Sequence, residues 1–137
     1  MEETALPRIL LVDDDLDFLQ ALRRHLRWQF DVTLAPGPDA ALELAASRGP
    51  YEVVVSDLHM PGMDGIDLLS RLRTAAPRTV RILLTGAGDV DSAIAAVNQG
   101  RVFRYLTKPC PPKTLIRELA AAVKQHRLGS PEPRRKE

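Results

Sequence analysis

The chain has 137 residues, 45 % of them hydrophobic, with 19 basic against 18 acidic side chains and a formal net charge of +1. That length supports one domain with a sizeable core rather than two ordinary ones, and the near-neutral balance provides no global field toward nucleic acid or a membrane surface. A single cysteine, Cys110, excludes an intramolecular disulfide framework and suits a reducing compartment.

Strand-like and helix-like patterns alternate five times along the sequence. Ile9–Val12 is an apolar run ending in Asp13, Asp14 and Asp15. It is followed by a helical pattern with Phe18, Leu19, Leu22 and Leu26 on one face and Arg23, Arg24 and Arg27 on the other. Asp15 or Asp17 suits the helix start as a cap, and Trp28 near its end is expected to pack. Phe30–Leu34 forms the second strand, and Ala40, Ala41, Leu44 and Ala45 mark a second helix stopping near Gly49-Pro50. The third strand, Tyr51–Ser56, ends in Asp57, and Ile66, Leu69 and Leu72 pattern a third helix. Val80–Leu84 leads into Thr85, and Val90, Ile94 and Val97 are expected to be the buried face of a fourth helix closed by Gly100. The fifth strand, Val102–Leu106, leads to Lys108, and a fifth helix starts near Pro112 with Leu115, Ile116, Leu119 and Val123 inward. Residues 8–127 are expected to be the domain, with flexible termini at 1–7 and at 128–137, the latter a tail or linker stub.

Such alternation predicts a doubly wound α/β domain with helices on both faces of a parallel sheet. Strands one, three and four are unbroken apolar runs, as burial on both faces requires. The second strand alternates with Asp31 and Thr33, and the fifth carries Arg104, so both read as edges. Right-handed crossovers then favour the flavodoxin-like order 2-1-3-4-5. In that order the reversal falls between strands one and three, and ligands bind beyond the carboxyl ends of strands at such a point.

Each of the residues gathered there has a plain reading taken singly. Acids before a helix cap it, Thr85 is a strand-end hydroxyl, Lys108 a loop lysine, and Tyr105 an edge-strand packing residue. Their joint placement after strands one, three, four and five reads as a site. Were Asp13, Asp14 and Asp57 to converge, three negative charges would face one positive charge on Lys108. Carboxylates that close raise one another's pKa values and resist joint ionisation. An all-oxygen site with few protein ligands suits Mg2+. His25, His59 and His126 lack the spacing of a zinc site, Cys110 is expected to be an inert thiol, and Arg117, Lys124 and Arg127 a solvated face.

The segments VDDD, VVVSDLHMPGMDG, LLTG and YLTKP, in that order, closely resemble the receiver domain of two-component response regulators, over about Arg8 to Arg127. The resemblance implies that Asp57 is the phosphoryl acceptor, charged by a sensor histidine kinase or phosphotransfer protein. It implies that Asp14 binds Mg2+ directly, Asp13 mainly through water, and the backbone carbonyl of His59 directly. Lys108 would pair with one phosphoryl oxygen and Thr85 with another, and Tyr105 would rotate as Thr85 moves inward. His59 and Ala87 stand where the family tunes dephosphorylation, and the bond between Lys108 and Pro109 is expected to be cis. The implied output is a changed surface on the fourth helix, fifth strand and fifth helix, presented to a downstream protein or output domain, with a homodimer through that face also open. VNQGRVFRYLTKP further resembles receivers joined to cyclic-dinucleotide phosphodiesterases or hybrid kinases.

The implied protein is a switch, phosphorylated and dephosphorylated in place, rather than a turnover enzyme. It is expected to be cytoplasmic, with no direct contact to nucleic acid or membrane, since it has no recognition helix, signal segment or membrane-length apolar run. Two other readings compete. One is a small Mg2+-dependent phosphohydrolase of the haloacid-dehalogenase type, whose DxDx[TV] signature is met by Asp13 and Asp15 but has Asp17 in its last place. The other is a degenerate receiver that binds partners without being phosphorylated.

Overall fold

The apolar runs form five strands in the computed structural model, which describes residues 5–129. They are β1 (Arg8–Val12), β2 (Asp31–Ala35), β3 (Val53–Asp57), β4 (Val80–Thr85) and β5 (Arg104–Thr107). Between and after them lie α1 (Leu16–Leu26), α2 (Pro38–Arg48), α3 (Gly65–Ala75), α4 (Val90–Asn98) and α5 (Pro112–Arg127), and a single 3-10 turn, Ala87–Asp89, leads into α4. All pairings are parallel and the order is β2-β1-β3-β4-β5, as the apolar patterns predict. β4 begins at Val80 as expected and β2 one residue later than the pattern suggests, while β3 and β5 begin two residues later, because Tyr51, Val102 and Phe103 pack outside the ladder. The expected flexible termini fall largely on residues 1–4 and 130–137, which lie outside the described residues.

Period-two alternation on the central strands divides the hydrocarbon between two cores. Ile9, Leu11, Val53, Val55, Ile82 and Leu84 meet Leu19 and Leu26 of α1 and Leu115 and Leu119 of α5. Leu10, Val12, Val54 and Leu83 meet Ala41, Leu68, Leu69, Leu72, Ala93 and Ala96 of α2, α3 and α4. Each fully buried leucine contributes roughly 1.5–3 kcal/mol relative to exposure.

Several ends are fixed by local chemistry. Asp15 caps α1 by accepting from Phe18 N at 3.1 Å, and Asp64 caps α3 by accepting from Asp67 N at 2.8 Å. After α4 the chain turns at Gly100 with φ 72°, a conformation in which a Cβ is strained. The Lys108–Pro109 bond is cis, as the resemblance implies, and so is Gly49–Pro50, which the sequence did not signal.

Two expectations are corrected. The buried face of α4 is built from Ala93 and Ala96, while Ile94 is 41 % exposed. The small alanines let α4 lie close to the sheet and turn its larger branched side chain outward. Trp28 does not pack inside either. It is 74 % exposed, beyond the end of α1, with the Arg27 guanidinium 4.8 Å from its ring centroid. A charged side chain is enclosed within β4: Arg81 is fully buried, and its Nη1 donates to Arg101 O at 3.1 Å. Arg101 in turn donates from Nε to Ser70 Oγ at 3.1 Å, tying the segment before β5 to α3.

Candidate functional site

The three central strands stop at one edge of the sheet and release their terminal side chains there. β1 ends at Val12 and hands Asp13 and Asp14 to the loop before α1; neighbouring β3 ends with Asp57 itself. On the far side of β3, β4 ends with Thr85, and beyond it β5 leads to Lys108. Carboxylate oxygens of Asp13, Asp14 and Asp57 lie within 4.8 Å of one another. Among the described residues this is the group of acids that could hold a metal ion.

Lys108 closes the cluster. Its Nζ stands 3.1 Å from Asp13 Oδ2 and 3.0 Å from Asp57 Oδ1, bridging the two carboxylates. Its position is set from three sides. Lys108 N donates to Thr85 O at 2.8 Å, extending the β4–β5 ladder by one bond. The cis Pro109 follows, and the Phe18 ring lies under the ammonium with its centroid at 4.7 Å. The other oxygen of Asp13 accepts from Asp15 N at 2.9 Å, which fixes that carboxylate in the turn before α1.

Burial raises the Asp13 carboxyl above its ordinary value and the Asp57 charge adds to that, while bonds from Asp15 N and Lys108 work the other way. Burial works against the charge on Lys108, but its bonds to Asp57 and Asp13 outweigh it and hold the ammonium above its ordinary value. Three acids against one ammonium leave an excess of negative charge among hard oxygen donors. That set fits a small divalent cation such as Mg2+.

The remaining expected residues fall as follows. Thr85 is fully buried at the end of β4, and its hydroxyl donates weakly to Gly86 O at 3.4 Å. Tyr105 is partly buried on β5 opposite Leu83, packed against the α2–α3–α4 core. His59 lies two residues beyond Asp57 with its imidazole exposed and Nε2 2.9 Å from Asp89 Oδ2. The Asp89 carboxylate raises the His59 pKa above its ordinary value, with Asp57 and Asp64 adding to the effect. Asp15 caps α1 and is not among the carboxylates that gather with Asp13, as the haloacid-dehalogenase reading would need. Burial raises the Cys110 thiol above its ordinary pKa, in keeping with an inert side chain.

Sequence reasoning did not single out Gly65 or Asp89, and it read Phe18 only as part of the apolar face of α1 rather than as the ring beside Lys108. Gly65 N donates to Leu58 O at 2.7 Å, and a Cβ there would sit 2.9 Å from the Asp57 carbonyl carbon and closer still to its oxygen. The first residue of α3 must therefore be glycine for the loop after Asp57 to fold back. Its place three residues after Gly62, itself at φ 89°, was the signal available.

Comparison with known proteins agrees with this geometry. The response regulator receiver domain family matches residues 9–120. The hydrogenase transcriptional regulatory protein HoxA of Cupriavidus necator is 36 % identical over 120 residues, 88 % of this chain and 25 % of that protein. The C4-dicarboxylate transport transcriptional regulatory protein DctD of Pseudomonas aeruginosa is 38 % identical over 122 residues, covering 88 % and 26 %. This chain thus spans about a quarter of the length of these relatives. Among solved structures, a response regulator receiver domain protein from Clostridium thermocellum superposes with a TM-score of 0.84 at 31 % identity, covering 90 % of this chain and 98 % of that one. One described as an adenylate cyclase from Rhodopirellula baltica gives 0.87 at 39 % identity, covering 90 % and 91 %. With its acidic cluster, bridging lysine and strand order all in place, the chain belongs to the family of response regulator receiver domains.

Proposed function

We propose that this domain accepts a phosphoryl group on Asp57 from a sensor histidine kinase or phosphotransfer protein and thereby resets its α4–β5–α5 face for a downstream partner. The observation that carries the reading is the shared ammonium: Lys108 Nζ within 3.1 Å of both Asp13 and Asp57, beside Asp14, at the carboxyl edge of the sheet.

In the transfer, an Asp57 carboxylate oxygen forms a bond to phosphorus as the nitrogen–phosphorus bond of a phosphohistidine breaks. The bonding pair leaves with the imidazole, and an acyl phosphate results. Such transfer depends on in-line positioning and on charge placed at the equatorial oxygens. Lys108 exchanges its bond to Asp57 for one to a phosphoryl oxygen, and Thr85 turns its hydroxyl from Gly86 O to another. Asp14, Asp13 and the carbonyl of His59 would hold Mg2+, which when bound offsets the acidic cluster and adds positive charge at the phosphoryl group. Tyr105, on the strand beside Thr85, follows as the small volume next to it empties. The outward Ile94, with the Arg104–Glu118 ion pair joining β5 to α5, marks the face where that change is read, by a partner, an output domain or a second copy.

No helix among the described residues is long and apolar enough to cross a membrane, and we assign the domain to the cytoplasm, where its phosphoryl donors would act. HoxA and DctD are named as transcriptional regulators; this chain matches about a quarter of each, and we place any contact with nucleic acid outside this domain. Incubation with Mg2+ and acetyl phosphate, followed by intact-mass measurement, tests the reading. The wild type should gain one phosphoryl group and Asp57→Asn none. An unmodified wild type would turn the assignment toward a receiver that binds without being phosphorylated.

A further inference from the structure

The mouth of the site is spanned by a chain of hydrogen bonds, of which the phosphoryl chemistry above uses only the first. It begins at Thr85, whose hydroxyl donates to Gly86 O at 3.4 Å. The same carbonyl accepts from Asp89 N at 3.1 Å, closing the 3-10 turn Ala87–Asp89. The Asp89 side chain then reaches across to His59, with Oδ2 2.9 Å from Nε2. One acceptor, Gly86 O, thus joins the hydroxyl expected to bind phosphoryl to the turn that carries Asp89.

The two ends of this chain differ in their freedom to move. His59 stands in the loop whose start is pinned by Gly65 N donating to Leu58 O at 2.7 Å. The turn before α4 is looser: Ala87 and Gly88 are exposed, and a Cβ built at Gly86 or Gly88 meets nothing within 4 Å. The Asp89 carboxylate makes no cap bond to α4 despite standing at its N-terminus. Its partner is His59.

We infer that the Asp89–His59 contact is a latch that holds the turn before α4 in its unphosphorylated position, so that Asp89 is a positioning residue for the switch. This rests on the phosphoacceptor reading given above. When Thr85 turns to the phosphoryl group, the turn loses one of the two bonds to Gly86 O and follows the hydroxyl. A contact already at hydrogen-bond distance lengthens out of range with a relative shift of well under about 1 Å. The latch therefore opposes the active state by the strength of that contact. The pair is exposed on the imidazole side, so its contribution is that of a surface pair.

A double-mutant cycle read by calorimetric titration of Mg2+ and beryllofluoride, a phosphoryl mimic, tests this. Asp89→Ala removes no cap bond, and His59→Ala keeps the backbone carbonyl. Each single variant should bind beryllofluoride about two- to five-fold more tightly than the wild type, about 0.4–1 kcal/mol, and the double variant no more tightly than either single. Unchanged affinities, or two effects that simply add, would overturn the latch while leaving the receiver reading intact. A wild type that takes up no beryllofluoride would remove both. Amide exchange at residues 86–89 gives a second readout: faster in both single variants without any ligand if the latch holds, and unchanged if it does not.

Discussion

Burial holds the Asp13 carboxyl above its ordinary range, and Asp57 adds to that, so the ionised group is a net cost to the empty domain. A carboxyl whose folded pKa is raised contributes stability that is complete below its ordinary value of 3.8 and is lost as pH rises through the folded value. Above that folded value the charged form, which burial disfavours, prevails. Asp13→Asn should therefore raise the metal-free melting temperature at pH 7, with the gain shrinking as the scans are repeated toward pH 4. A fall instead would mean that the bond to Lys108 outweighs burial. Lys108 has the opposite consequence at the other end of the scale: its raised pKa contributes stability that is present below 10.5 and lost only as pH rises through the folded value. These residues were legible in the sequence because each follows a strand directly, and strand ends in a parallel sheet share one edge. The His59–Asp89 contact was not legible, because it joins two loops whose folding no apolar pattern encodes. Trp28 misled for a related reason: a large aromatic beside a helix end has no periodic partner to reveal which way it turns.

Among the elements, α3 and α4 bear most directly on the site. Gly65 opens α3 against the Asp57 backbone, where any side chain meets main-chain atoms that cannot yield. Gly65→Ala should destabilise the domain by about 1–3 kcal/mol, seen as a lower urea midpoint, and should slow modification by acetyl phosphate because the acceptor strand end is displaced. An unchanged midpoint would show that the loop relaxes freely. On α4 the apolar pattern located the helix but not its inward face, since Val90, Ile94 and Val97 share a helical stripe as readily as Ala93 and Ala96 do. Packing distance decides between them: alanines admit a helix close to the sheet. Ile94→Glu should accordingly leave stability within about 0.5 kcal/mol. It should weaken any self-association induced by beryllofluoride, measured by light scattering.

For the whole molecule, the strand order and the position of its reversal followed from which strands were apolar throughout and which alternated. The division into two cores was implicit in the same pattern. A divalent cation held by the acidic cluster binds the folded chain alone, so Mg2+ should raise the melting temperature in a saturable way. The gain is about 2.7 kcal/mol when the ion stands at 100 times its dissociation constant. Asp14→Asn should flatten that dependence, and a wild type indifferent to Mg2+ would count against the cluster as its site. The alternation along β3 and β4 has one more effect. Val54 and Leu83 face one core while Val55 and Leu84 face the other, so a slip of a single residue between these strands would exchange their hydrocarbon across the sheet. The alignment of Asp57 with Thr85 and Lys108 is thereby locked by greasy side chains that never touch a phosphate, and loosening the interior would be felt as mistimed chemistry before it was felt as unfolding.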